Sequence, residues 1–141
     1  GRSRSRRIWS HGSSGDTHVI YANDVADPAR PIVRSYACPA GQAWSVHVMA
    51  APDESFLVGD GQNGPVHETP AETIWKYTPL DDGRAAVEPV ARFRSMTRTL
   101  LAGGHRLESN AHVTPDSRWV VFQSSSDDDL FEVWAARVSP P

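Results

Sequence analysis

Six histidines give the chain its chemical possibilities: His11, His18, His47, His67, His105 and His112. Imidazole ordinarily titrates near neutrality, so it can act as a general base, a proton carrier or a metal ligand. Two of the six hold similar places. His47 stands five residues before Pro52 and His112 three before Pro115, each in an apolar run leading to a Pro-Asp turn. If those runs are neighbouring strands around one channel, the two imidazoles converge on a single ion, and imidazole suits Mn, Fe, Zn or Cu. The alternative is two unrelated histidines. His105, Glu108 and Asn110 come shortly before His112 and add nitrogen and oxygen donors. Carboxylate and amide oxygens suit a harder ion such as Mn2+; a polar loop entering a strand is the plainer reading.

Other residues invite simpler explanations. Asp60 sits between Gly59 and Gly61, which reads as a turn at a strand end. Asp127-Asp128-Asp129 reads as a solvated tip between strands. Trp75, Trp119 and Trp134 lie in strand patterns and are expected in sheet packing. Trp44 has the option of stacking on a sugar ring, with core packing the stronger expectation. Cys38 is the single cysteine, so no intrachain disulfide can form, and an ordinary half-buried thiol is expected.

The elements that must position these groups read as strands. Apolar and aromatic runs are expected at 17–23, 31–37, 44–50, 55–59, 73–78, 86–93, 111–114, 118–124 and 131–138. Turn residues separate them: Gly12–Asp16, Pro52-Asp53-Glu54, Asp81-Asp82-Gly83, Pro115-Asp116-Ser117 and Ser125–Asp129. The best helix candidate is a short one, 95–101. A repeat underlies the pattern. Residues 50–60 match residues 113–123 as strand, Pro-Asp-x turn and apolar strand, and Gly15–Ala22 is a weaker third copy. The copies are about 37 and about 63 residues apart. Recurrence of such a unit is the mark of propeller blades. The expected fold is therefore all-β: a partial β-propeller of about two to three four-stranded antiparallel blades. Residues 1–7 are expected to be a disordered basic segment, and residues 8–141 the C-terminal part of the propeller. The last blade is expected to lack its fourth strand after 131–138.

Composition narrows the classes. The chain has 141 residues, 39% hydrophobic and 22% charged, with a net charge of −3. That charge gives no broad attraction to nucleic acid or anionic membranes. Lys76 is the only lysine; every other basic side chain besides histidine is arginine. No run reaches the roughly 18 apolar residues of a membrane span, and no signal peptide is visible. The expectation is a cytoplasmic protein with neither nucleic-acid nor membrane partners, the periplasm being the alternative.

Two stretches resemble a known family. Ser45-Val46-His47, then Ala51-Pro52-Asp53-Glu54 and Phe56-Leu57-Val58-Gly59-Asp60-Gly61, is similar to the oligogalacturonate (oligogalacturonide) lyases, where Ser-x-His is followed by Ser-Pro-Asp-Gly and Phe-x-Gly-Asp-Gly. Residues 107–124 resemble that family's last blade, and Thr73–Tyr77 fits between, so the likeness runs from about 44 to 138. It implies a seven-bladed propeller that cleaves pectin-derived oligogalacturonates by β-elimination with Mn2+ in its channel. By this resemblance His47 is a metal ligand, and His105, Asn110 and His112 supply ligands from the last blade. The family's proton-abstracting histidine lies in a His-Glu-Phe-Trp stretch. Here that place reads Arg6-Arg7-Ile8-Trp9, followed by Ser10-His11, so the base histidine is absent, displaced to His11, or lost in a damaged N-terminus. The expected partners are an oligogalacturonate substrate and the missing blades of the same propeller. The 141 residues alone are expected to have little or no lyase activity. The competing expectation is a non-catalytic propeller segment that binds or scaffolds.

Overall fold

The computed structural model describes residues 7–14, 17–27, 29, 34–39, 44–62, 71–94, 109–125 and 131–139. Within them the chain is all-β, with ten strands in three antiparallel sheets and no helix. The first sheet orders β1 (Arg7–Ser14), β2 (Thr17–Asp24) and β3 (Arg34–Ala37). The second orders β4 (Trp44–Ala50), β5 (Leu57–Gln62), β6 (Ala71–Pro79) and β7 (Ala85–Arg94). The third has β8 (His112–Val113), β9 (Trp119–Ser125) and β10 (Phe131–Arg137) in that order. The expected four-stranded unit thus occurs once among the described residues, flanked by two three-stranded sheets. The helix candidate at 95–101 lies outside the described residues.

The alternation of side chains builds two cores. His18, Ile20 and Ala22 alternate inward on β2. Ile20 and Cys38 pack on Leu57, Tyr77 and Ala85, which closes the first sheet against the second. The opposite face of the second sheet carries Phe56, Val58, Ile74 and Phe93. These meet Val113, Val120, Phe122 and Val138 of the third sheet. Full burial of one such side chain contributes roughly 1.5–3 kcal/mol. The sheets therefore stack in chain order, and their first strands β1, β4 and β8 neighbour one another.

The Pro-Asp turns repeat in atomic detail. The Ala51 N–H donates to the Phe56 carbonyl and the Glu54 N–H to the Ala51 carbonyl, both at 2.9 Å. Thr114 N–H to Trp119, and Ser117 N–H to Thr114, repeat the pattern at the same 2.9 Å. Asp53 and Asp116 each accept the backbone N–H two residues on, at 3.1 Å. Glu54 and Ser117 close the turns with φ of 59° and 58°, a left-handed conformation that glycine adopts most easily.

The start of the chain departs from expectation. Gly12 to Ser14, expected in a turn, continue β1 in register with β2. The glycine leaves room for a close approach: a Cβ at Gly12 would stand 3.2 Å from the Tyr21 ring, which would have to give by a few tenths of an ångström. Arg7, expected in the disordered segment, opens β1 and forms an ion pair with Glu54. Cys38 is more buried than expected, at 3% exposure, and burial pushes its thiol pKa up to about 11. Trp119 and Trp134, expected in sheet packing, are instead 43% and 52% exposed. Trp119 lies on the outward face of the third sheet, which meets no further sheet among the described residues, whereas Trp134 pairs with buried Phe122 on the inner face but stands on β10, at the sheet's edge.

Candidate functional site

The geometry centres on β4 and β5. The strands pair Ser45 with Gly61, and then, across a register shift, His47 with Asp60 and Val48 with Gly59. The bulge gives two β4 residues to one on β5, so His47 rather than Val46 stands opposite Asp60. Bulges re-aim a side chain in this way. The Ser-x-His and Gly-Asp-Gly elements are thereby cross-strand neighbours.

Asp60 is not a turn residue. It lies within β5 and is 3% exposed. A buried carboxylate needs donors to offset its lost hydration, and both of its oxygens have one. The His47 backbone N–H donates to Oδ1 at 2.9 Å, and the Ser109 hydroxyl donates to Oδ2 at 2.9 Å. The His47 ring leans the same way, its Nδ1 3.3 Å from Oδ1, while half of the side chain stays exposed. Ser109 is itself 1% exposed and is tied to the third sheet, its carbonyl accepting the Gln123 N–H at 2.7 Å. Nothing in the sequence marked Ser109. Its role depends on how two sheets meet.

His112 is exposed on β8, with Nδ1 3.2 Å from the Met49 sulfur on β4. The two imidazoles are thus linked through Met49, which lies two residues beyond His47 on the same strand. They are not equivalent in the repeat. Matching the two turns superposes Ala51 on Thr114, so Met49 corresponds to His112, and His47 to Asn110. Asn110 is exposed, with φ of 46°, a backbone state that asparagine tolerates better than most residues.

His11 lies elsewhere. On β1 it is half-buried, its ring centroid 5.6 Å from that of His18. His18, which the sequence did not single out, is 2% exposed, with the Tyr77 ring 6.1 Å away. Burial first, then the nearby His11, push its pKa down to about 4, opposed by the Gly12 backbone carbonyl, which accepts from the ring and favours its protonated form. His67, His105, Glu108, Asp127 to Asp129 and the Trp44 side chain lie outside the described residues. Among the described residues, no three His, Cys, Asp or Glu side chains gather to hold a metal ion. Of the residues expected to ligate Mn2+, His47, Asn110 and His112 lie among the described ones. The outward face of the first sheet carries an open groove of about 660 Å3, lined by Ser14, Thr17, Tyr21 and Ser35 among others. Among the described residues no helix is long and apolar enough to cross a membrane.

Comparison with protein-family models, with curated proteins and with solved structures finds no match.

Proposed function

We propose that the chain is a segment of a β-propeller lyase that cleaves pectin-derived oligogalacturonates by metal-assisted β-elimination. The observation that carries this reading is the buried Asp60 carboxylate beneath the half-exposed His47 imidazole, which joins the two motif elements in one cross-strand pair. A carboxylate behind a histidine fixes the ring's orientation and is the usual support for a metal-binding imidazole. The stacking of the sheets in chain order, with their first strands side by side, supports the propeller reading.

In this reading His47 and His112 would hold Mn2+ by ring nitrogens, Asn110 by its amide oxygen and His105 by a further nitrogen. When bound, the ion would polarise the uronate carboxylate and so favour loss of the neighbouring proton. His47 is oriented by Asp60, while the first sheet carries His11 as the candidate base. The His11 ring is engaged with His18, so it would have to turn away to meet a substrate.

The test is calorimetric titration of the purified chain with Mn2+, beside an absorbance assay for unsaturated product from digalacturonate. The expected result is Mn2+ binding that His47→Ala abolishes and His112→Ala weakens, with little or no turnover by the 141 residues alone. Absence of Mn2+ binding by the unsubstituted chain, or binding indifferent to both substitutions, would sink the metal reading. A second reading is a non-catalytic binding or scaffold segment. The contact of His112 Nδ1 with the Met49 sulfur favours it, because that nitrogen already has a partner.

A further inference from the structure

We propose that Asp60 is a positioning residue that selects the tautomer of His47, and that Ser109 holds Asp60 in place for this task. Its use in metal binding or catalysis rests on the reading above; the tautomer assignment rests on geometry alone.

The argument begins with lone pairs. A neutral imidazole carries a hydrogen on one ring nitrogen and a lone pair on the other. Asp60 Oδ1 lies 3.3 Å from His47 Nδ1. A lone pair on Nδ1 would face a carboxylate oxygen across that gap, and the two would repel. A hydrogen on Nδ1 turns the same contact into attraction. Burial of the carboxylate enlarges the difference, since its side of the contact is screened less than in water, although half of the imidazole stays exposed. Nε2 then bears the acceptor lone pair, the form required of a ligand or a base.

The carboxylate cannot swing away to relieve the contact. Oδ1 also receives the His47 backbone N–H at 2.9 Å, so the residue being oriented also anchors its orienter. Oδ2 is held by the Ser109 hydroxyl, also at 2.9 Å. Ser109 comes from the segment entering the third sheet and is fixed there by the Gln123 N–H. The imidazole of the second sheet is therefore set only when the third sheet is docked. Asp60 acts through His47 and is not itself assigned a contact with substrate.

The experiment is long-range 1H–15N NMR of the His47 ring in the labelled, metal-free chain, at a pH where the ring is neutral. The expected spectrum shows Nδ1 protonated and Nε2 bare. Asp60→Ala should move the ring to a mixture dominated by the Nε2-protonated form, and Asp60→Asn, which keeps an acceptor but loses the charge, should give an intermediate state. Ser109→Ala should loosen the preference, and Ser109→Thr should restore it. An Nε2-protonated ring in the unsubstituted chain would overturn the proposal. So would an unchanged His47 spectrum in Asp60→Ala with the remaining amide signals native. If Asp60→Ala does not fold, Asp60→Asn and Ser109→Ala decide by the same criterion. In the companion Mn2+ titration, Asp60→Asn should lose roughly 10–100-fold in affinity. A correctly set ring that takes up no Mn2+ would support the role of Asp60 and count against the metal reading.

Discussion

His18 shows what a buried imidazole does to the pH dependence of the fold. Its folded pKa, about 4, lies below its ordinary value of 6.5. As pH falls, the unfolded chain takes up this proton first. Stability is therefore unaffected above about pH 6.5 and is lost progressively between there and pH 4, by at most about 3 kcal/mol. His18→Phe keeps a ring against Tyr77 and removes the titration. Urea unfolding at pH 7 and pH 4.5 should show a smaller acid-induced loss in His18→Phe than in the parent; equal losses would show that His18 is not the group responsible. At this scale sequence reading pointed to residue types but not to their couplings. His47 was legible as a candidate from its place before the Pro-Asp turn. Its support was not, because the register shift at Ser45/His47 decides which β4 side chain meets Asp60. Spacing also made His47 and His112 look equivalent, although His112 matches Met49 once the turn hydrogen bonds align the copies.

Among the elements, the Pro-Asp turns were the most legible, because proline and aspartate act through the local backbone. What the sequence hid was the left-handed third position, occupied by Glu54 and Ser117 rather than glycine. Ser117→Gly should relieve that strain and raise stability by about 0.5–1 kcal/mol, net of the extra freedom glycine gives the unfolded chain. Thermal unfolding would show it as a higher midpoint, and a lowered one would mean that Ser117 makes compensating contacts. The same change at Glu54 should gain less, since it removes the partner of Arg7. Strand β1 was the least legible element. Gly12, Ser13 and Ser14 have turn-like composition, yet pairing with β2 along the whole strand outweighs local preference.

For the molecule as a whole, the all-β architecture followed from the strand pattern. The third sheet shows what one more neighbour would do. Aligning the repeats places Val133 where the second sheet has Ile74, and Trp134 where it has Trp75. Ile74 is fully buried, whereas Val133 is 74% exposed. Strand β10 ends its sheet among the described residues, with Val133 and Trp134 beside an open edge of backbone. Such an edge invites pairing with another chain. Sedimentation of the purified chain should show concentration-dependent association that Val133→Lys suppresses; a strictly monomeric parent would refute this. The second sheet has a different solution at its rim. Lys76 is 6% exposed, its Nζ donating to the Ser139 carbonyl at 2.9 Å beside the Phe56 ring. Because it is the sole lysine, the folded exterior offers no ε-amine to acylating or conjugating enzymes. Side-chain cations on that exterior are guanidinium or imidazolium, so acetylation cannot tune its charge.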